Sequence, residues 1–300
     1  MPAPVALFVY NRPDHTARTL EALAANELAS ETDITIYCDG AKSAEAREAV
    51  EAARAVARAA RGFRSVRTVE RDSNMGLANS VITGVTQVCG ERGRVIVLED
   101  DLVTAPTFLR FMNDALDKYE QDERVGSIHG YWYPVDRAVP ENFFLRGASC
   151  WGWATWSRGW RMFERDGAKL LADLRARRLT RTFDLDGSIP YTKLLESQIS
   201  GRNDSWAIRW HASTFLAGLL QLSPGRSLVR NIGFDGSGTH CDDSAAFEVP
   251  LSDVAVRLPD IPVEQSEAAR AALVRYYSSR YSLRRRIVSR LRRMLKGRGH

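Results

Sequence analysis

The stretch "VIVLEDDLVTAP", residues 95–106, places three acidic residues directly after four aliphatic ones. The aliphatic run predicts a buried strand that ends at Glu99, Asp100 and Asp101. Adjacent carboxylates repel one another and lose solvation beside a core, so the arrangement requires a compensating charge. Mg²⁺ or Mn²⁺ would supply that charge, because both ions prefer hard carboxylate and phosphate oxygens. The alternative is an acidic turn that caps a helix beginning near Pro106.

Apolar runs alternate with helical patterns throughout the first half of the chain. The predicted strands are 4–10, 33–39, 65–70 and 94–98, and the predicted helices are 14–26, 43–61 and 77–89. Short strands alternating with helices are typical of βαβ units and a mostly parallel sheet. The predicted fold class is therefore α/β and Rossmann-like, with helices flanking the sheet, an elaborated second half and a basic C-terminal helix.

Polar residues follow each of the four predicted strands. These strand ends are Asn11-Arg12-Pro13, Asp39-Gly40, Asp72-Ser73-Asn74-Met75-Gly76 and Glu99-Asp100-Asp101. Ligands of such folds bind beyond the carboxyl ends of the strands, so we expect the four segments to line one crevice. The sequence contains neither GxGxxG nor GxxxxGK[ST], the phosphate-binding motifs of dinucleotide oxidoreductases and P-loop NTPases. The crevice instead suits a nucleoside held by hydrogen bonds, with its diphosphate on a metal ion.

The composition is that of a globular protein, with 300 residues of which 44% are apolar and 26% are charged. No run approaches the roughly 20 apolar residues of a membrane-spanning helix. The N-terminal segment lacks a basic region and a cleavage signal, so it predicts a first strand rather than a signal peptide, and we expect a cytoplasmic protein. The four cysteines show no CxxC spacing and are predicted to be buried free thiols.

The net charge of +5 is concentrated at one end of the chain. Residues 268–300 contain eleven Lys or Arg and no acid, which leaves 31 basic and 37 acidic residues before them. An acidic body argues against nucleic acid as a partner. Apolar and Arg residues recur at helical spacing in 283–295, which predicts a basic amphipathic helix on an anionic membrane surface. A disordered solubilising tail, or one that binds nucleic acid nonspecifically, is the alternative.

Several motifs in a fixed order resemble the GT-A class of nucleotide-sugar glycosyltransferases. They are "LFVYNRP", Asp39, "SNMGLANS", the acidic triplet of Glu99, Asp100 and Asp101, "SCWGWATWSRGW", "NDSWAIRW" and "VRNIGFDGSGTH". The opening motifs look like those of the family 2 type transferases. "LEDDL" is similar to the EDD motif of N-acetylglucosaminyltransferase I type enzymes, and the later blocks are similar to bacterial relatives of that group. The resemblance spans about residues 4–241.

The resemblance implies a role for each matching residue. Asp101 would bind the metal, while Glu99 and Asp100 would contact the nucleotide and order the waters of the metal. Further residues implied at the nucleotide sugar are Asn11, Arg12, Asp39, Asn74, Gly76 and Asn79. Asp204, in "NDSWAIRW", would be the general base. His240 would be a late ligand of the metal or of a phosphate.

The residues alone leave simpler interpretations open. Asp204 could cap the helix that follows it, and His240 could be a solvated loop residue. Spacings of two, three and four residues separate Trp151, Trp153, Trp156 and Trp160. Such spacings cannot all point to one surface, so we predict that most of these rings are core and that at most two face an acceptor. His211 is predicted to be structural.

The implied function is metal-dependent, inverting transfer of a sugar to a hydroxyl of a glycan or lipid-linked acceptor, in bacterial surface polysaccharide synthesis. A UDP-sugar, UDP-N-acetylglucosamine by the resemblance, is the favoured donor. A nucleotidyltransferase acting on a sugar phosphate and an inactive carbohydrate-binding relative are the alternatives. We predict one domain, 1–265, with a nucleotide-sugar-binding half, 1–130, and an acceptor-side half, 131–265. The tail, 268–300, would hold the enzyme on the inner face of the membrane.

Overall fold

Strand β1, Val5–Val9, is buried at every position because both faces of its sheet are covered. Its residues divide between two buried clusters, with Val5, Leu7 and Val9 in one and Ala6 and Phe8 in the other. Successive side chains of a strand point to opposite faces, so these clusters are the two cores on either side of the sheet.

The structure is a computed structural model that describes residues 1–235 and 247–281. Its strands are β1 Val5–Val9, β2 Asp33–Cys38, β3 Ser65–Glu70, β4 Arg94–Glu99, β5 Leu102–Thr104, β6 Val125–His129, β7 Asn142–Arg146, β8 Trp153–Trp156, β9 Leu220–Pro224 and β10 Val229–Asn231. One sheet has the order β3-β2-β1-β4-β8-β6-β9-β7, and β5 pairs with β10 beside it. Strands β3, β2, β1 and β4 are mutually parallel, whereas β8 and β7 are antiparallel to their neighbours. The predicted, mostly parallel α/β sheet is confirmed.

Helices cover both faces of this sheet. They are α1 Pro13–Ala24, α2 Arg47–Ala59, α3 Leu77–Arg92, α4 Phe108–Lys118, α5 Ser157–Trp160, α6 Gly167–Ala176, α7 Thr180–Phe183, α8 Tyr191–Ile199, α9 Trp206–Leu216 and α10 Glu267–Tyr281. Helices α1, α2 and α4 contribute to the core on one face, and α3 and α9 contribute to the core on the other. Within the described ranges, no helix combines the length and the apolar character needed to cross a bilayer.

The strands and helices predicted for the first half are confirmed, with one helix start displaced. Helix α2 begins at Arg47, a few residues later than predicted. The preceding residues are held at the sheet, because the backbone of Gly40 packs against Ser73, where a Cβ would lie 2.4 Å from the carbonyl carbon. In addition, the N–H of Lys42 donates to Tyr10 Oη (3.1 Å). Residues 43–46 form bends and turns between these contacts and the helix.

Helix α10 packs beside β7. Four of its side chains, Ala269, Leu273, Tyr276 and Tyr277, are buried in a cluster with Trp132 and Phe143. The segment predicted as a tail, 268–300, therefore begins with a helix that is packed against the body of the protein. Its remaining residues, 282–300, lie outside the described ranges, so the predicted amphipathic helix there stays a prediction.

His129, on β6, is expected to make the protein less stable in acid. Its ring is 2% exposed, neither ring nitrogen has a hydrogen-bond partner among the described residues, and burial lowers its pKa to about 3. The unfolded chain, with a histidine pKa near 6.5, binds a proton that the folded state excludes. The free energy of unfolding should therefore fall by up to about 1.4 kcal/mol for each pH unit as the pH falls from about 6.5 to about 3.

The variant His129→Phe tests this expectation. Urea denaturation at several pH values between about 4 and 6.5 should show a flatter dependence of the unfolding free energy on pH than in the natural protein. The slope is the informative quantity, because the larger ring also changes packing and shifts all values together. An unchanged slope would contradict the assignment.

Candidate active site

The four predicted strand ends meet at one edge of the sheet, where β1 to β4 finish, which we call the carboxyl edge. Arg12, after β1, donates to Asp100 Oδ1 (2.6 Å) and Asp101 Oδ2 (2.9 Å), after β4. Asp39, after β2, accepts a hydrogen bond from Gly76, in the segment after β3. Since β1 lies between β2 and β4, both groups of contacts belong to the same edge. The prediction that these segments converge is confirmed.

The acidic triplet is partly withdrawn from solvent. Asp100 is buried and accepts the N–H of Tyr10 (3.3 Å) as well as the contact from Arg12. Burial raises the pKa of Asp100, and Arg12 opposes that rise. Burial, followed by the charges of Asp101 and Asp100, raises the pKa of the half-buried Glu99 to about 8. The site therefore disfavours three full negative charges at once, and a cation would favour the charged form of Glu99.

Strand β10 brings the last sequence motif to the acidic triplet. The N–H of Ile232 donates to the carbonyl oxygen of Asp101 (2.8 Å). Gly233 lies so close to the carboxylate that a Cβ there would be 2.2 Å from Asp101 Oδ2 and 2.9 Å from Arg12 Nη1. Any larger residue would displace the ion pair, which explains a glycine at this point of "VRNIGFDGSGTH".

Two residues of α1 that the sequence analysis missed also hold this edge. His15 Nε2 lies 3.2 Å from the carbonyl oxygen of Ile232 and 3.2 Å from Asp235 Oδ2. Thr19 Oγ1 donates to the carbonyl oxygen of Asp100 (2.8 Å). No local pattern marks either position, because their partners are distant in sequence. The predicted ligand His240 falls outside the described residues, so its role stays a prediction.

The buried carboxylate of Asp39 organises the segment that precedes α3. Its oxygens accept hydrogen bonds of 2.8–3.1 Å from the N–H groups of Gly40, Met75 and Gly76 and from Asn74 Nδ2. Gly76 has a φ of +77°, a conformation that favours glycine. The exposed Asn79, one turn later, donates from Nδ2 to the Met75 carbonyl oxygen (2.9 Å). Asp39 therefore shapes the loop that precedes α3. It stays a prediction that the residues of this loop and Asn11 contact a nucleotide.

The tryptophans of "SCWGWATWSRGW" are mostly core, as predicted. Trp153, Trp156 and Trp160 are buried, whereas Trp151 is partly exposed. The Trp151 ring contacts Phe234 (5.6 Å between centroids), close to Gly233. Trp151 is thus the tryptophan of this motif that lies beside the loop of Gly233. His211 is structural as predicted, with its ring against Phe183 and Tyr191 and its Nδ1 at the Ala148 backbone.

Asp204, the predicted general base, precedes α9 on the surface. Its side chain is 64% exposed, and its Oδ1 lies 3.1 Å from Arg209 Nη2. The helix is capped by Ser205, whose side chain accepts the Ile208 N–H (3.2 Å), so the capping interpretation of Asp204 is wrong. No hydrogen bond among the described residues joins Asp204 to the acidic triplet, so its role as general base stays a prediction.

The oxygen ligands of the carboxyl edge fit a divalent cation that binds together with a diphosphate. Asp101 Oδ2 is occupied by Arg12, whereas Asp101 Oδ1 accepts no hydrogen bond from the described residues. Within those residues, no group of three His, Cys, Asp or Glu is arranged to hold a metal alone. Sites for Mg²⁺ commonly use one or two carboxylates, waters and substrate phosphates. The arrangement therefore suits a cation whose coordination the substrate completes.

Comparison with known families gives a match over more than half of the chain. Residues 5–170 match the family model described as Glycosyl transferase family 2. A comparison with curated protein sequences finds no significant match.

Similar solved structures include two of S. aureus TarS. One shares 17% identity at a TM-score of 0.32 and covers 48% of this chain and 24% of that chain. The other, TarS 1–349, shares 11% identity at a TM-score of 0.34, with coverages of 58% and 49%. UDP-glucose pyrophosphorylase complexed with UDP-glucose shares 11% identity at a TM-score of 0.31, with coverages of 54% and 79%. The chain thus spans half or less of the TarS chains, and these low similarities carry no conclusion about activity.

Proposed function

Because the chain belongs to glycosyl transferase family 2, we propose that it transfers a sugar from a UDP-sugar to a hydroxyl group with Mn²⁺ or Mg²⁺ as cofactor. The observation that carries the proposal is the acidic triplet at the carboxyl edge, where Asp101 keeps one oxygen available beside the converging loops. UDP-N-acetylglucosamine is the favoured donor because of the EDD-like motif. A glycan or lipid-linked acceptor in bacterial surface polysaccharide synthesis is the favoured acceptor.

The residues of the site would divide the reaction between them. Asp101 would hold the cation, with His240 as a second ligand, and the bound cation supplies positive charge for the diphosphate leaving group. Asn11 and the loop shaped by Asp39 would frame the nucleoside. Asp204 would take the proton of the acceptor hydroxyl while the oxygen of that hydroxyl bonds to the anomeric carbon. The bond from that carbon to the diphosphate breaks on the opposite side, so the anomeric configuration inverts.

A thermal-shift panel of UDP-, GDP- and dTDP-sugars, each with Mn²⁺ or with EDTA, tests the donor and the cofactor together. A ligand that binds the native state alone stabilises it by about 2.7 kcal/mol at 100 times its Kd. We expect a rise in Tm with UDP-sugars and Mn²⁺, and little rise in EDTA. Equal stabilisation in EDTA would contradict the proposed metal dependence. A preference for GDP- or dTDP-sugars would contradict a UDP-sugar as the donor.

Product analysis separates the alternative functions. A glycosyltransferase releases UDP from the donor, slowly even without acceptor because water can replace the hydroxyl. A nucleotidyltransferase would release pyrophosphate from UTP and a sugar phosphate. An inactive carbohydrate-binding relative would bind without releasing either product.

The segment 283–295 is proposed to hold the enzyme on the inner face of the membrane. Its apolar positions are Leu283, Ile287, Val288, Leu291, Met294 and Leu295, with Arg residues around them. Each basic side chain near an anionic surface adds about 1 kcal/mol. A chain ending at Ser282 should stay active on a soluble acceptor but no longer sediment with anionic liposomes.

High salt should release the full chain from these liposomes, at least in part, because salt screens the attraction between exposed charges. The hypothesis fails if the full chain does not bind at low salt, or if the shortened chain binds equally well. Either result would favour a tail that is simply solvated.

A further inference from the structure

The guanidinium of Arg12 contacts two members of the acidic triplet at once. Its Nη2 lies 2.6 Å from Asp100 Oδ1 and 2.9 Å from Asp101 Oδ2. The side chains of Arg12, Asp100 and Asp101 are 21%, 6% and 15% exposed, so solvent screens these contacts weakly. Arg12 therefore takes the position between the two carboxylates that a bridging cation would otherwise use.

The surrounding chain holds Arg12 in this position. Both the N–H and the Oγ1 of Thr16 donate to the Arg12 carbonyl oxygen, at 2.9 and 2.8 Å, in the first turn of α1. The backbone of Gly233 is also close to the guanidinium, since an added Cβ there would lie 2.9 Å from Arg12 Nη1. The side chain thus has little room to withdraw unless the backbone around Gly233 also moves.

We propose that Arg12 is a resident counter-ion that keeps the acidic triplet from binding a free divalent cation until a nucleotide diphosphate arrives. The proposal rests on the proposed function, to which the cation and the diphosphate belong. Without nucleotide, the positive charge of the guanidinium repels a cation, and Asp101 offers that cation only one available oxygen. With the diphosphate, phosphate oxygens complete the coordination, and their negative charge offsets Arg12. Binding of cation and nucleotide is then mutually dependent, and each raises the affinity for the other by the same factor.

A purely structural role for Arg12 gives a different expectation. Removing the guanidinium would then lower stability without raising the affinity for a cation. The test is therefore binding of Mn²⁺ alone, followed by the electron paramagnetic resonance signal of free Mn²⁺ or by calorimetry, and repeated with UDP.

Arg12→Gln should bind Mn²⁺ without nucleotide at least about tenfold more tightly than the natural protein, since the like charge is gone and Asp101 regains both oxygens. Arg12→Lys, which keeps the charge, should stay close to the natural protein. The matched control is Arg270→Gln, because Arg270 is similarly shielded (17% exposed) and pairs with Asp186 at 2.8 Å. That variant should not change Mn²⁺ binding.

The double variant Arg12→Gln with Asp100→Asn covers the case in which the single variant does not fold. It removes the buried carboxylate that Arg12→Gln leaves unpaired, and it should also bind Mn²⁺ alone more tightly than the natural protein. No gain in either variant, or an equal gain in Arg270→Gln, would overturn the inference. Failure of the natural protein to bind Mn²⁺ even with UDP would instead contradict the proposed function, so the two failures are distinguishable.

Discussion

Asp101→Asn is expected to lower turnover by at least about a thousandfold while the protein still folds. The amide carries no charge and is a poorer ligand, so the cation is no longer held against the departing diphosphate. The fold should survive because Arg12 keeps its 2.6 Å contact with Asp100, and no buried charge is left unpaired. Release of UDP in the presence of Mn²⁺, together with Tm in the same buffer, measures both parts of the prediction.

Asp117→Asn is the matched control for this experiment. Asp117 pairs with Arg94 at the amino end of β4, whereas Asp101 follows the carboxyl end of the same strand. The control removes the same charge from α4, beside the opposite end of β4, and should leave turnover within about twofold because the Asp117 side chain is exposed and far from the acidic triplet. Full activity of Asp101→Asn, or of the natural protein in EDTA, would contradict the assignment of Asp101 as a metal ligand.

The sequence predicts the central strands β1 and β4 well because these strands are buried on both faces. A strand such as β1 then shows a continuous apolar run, and the helices between strands show their own period. The carboxyl ends of parallel strands must share an edge, which is why Asp39 and the acidic triplet could be placed together. These conclusions depend on short-range patterns alone.

The second half of the sheet could not be predicted in the same way. Strand β8, Trp153–Trp156, lies between β4 and β6 and is antiparallel to both. Its residues are all buried, so the motif lacks the alternation of polar and apolar residues that marks a half-exposed strand. Its partners are also far away in sequence, and nothing local specifies them.

The detailed geometry of the acidic triplet depends on contacts that span long stretches of chain. Arg12 and Asp100 are 88 positions apart, and Gly233 reaches Asp101 through the pairing of β10 with β5. The sequence identifies the chemical types that meet, namely acids, an arginine and a glycine-rich loop. The structure adds that the arginine lies between the carboxylates, which the sequence alone does not indicate.

Asp204→Asn is expected to lower turnover by about a hundredfold or more and to leave donor affinity nearly unchanged, because a general base acts on the acceptor and not on the nucleotide. The surface position of Asp204 makes the result easy to interpret. The Asp204 side chain is 64% exposed although its partner Arg209 is buried, and Ser205 still caps α9. A large loss of turnover at unchanged Tm would therefore come from the chemistry.

Glu196→Gln is the matched control, since Glu196 is also a solvent-exposed carboxylate with an arginine partner, Arg175 at 2.8 Å. It should leave turnover and donor affinity as they are in the natural protein. Donor affinity is measured as Kd of the UDP-sugar with Mn²⁺, separately from turnover, so that a loss of binding is not mistaken for a loss of the base.

If Asp204→Asn stays within about threefold of the natural protein, the base must be another acid. Asp184 and Asp186 are already engaged, the first as an acceptor from Thr192 and the second with Arg270. Asp235 is also paired, with its Oδ2 3.2 Å from His15 Nε2, but it lies two residues after Gly233, at the carboxyl edge itself. The same measurements on Asp235→Asn would then decide whether the proton leaves toward the metal side of the site or toward α9.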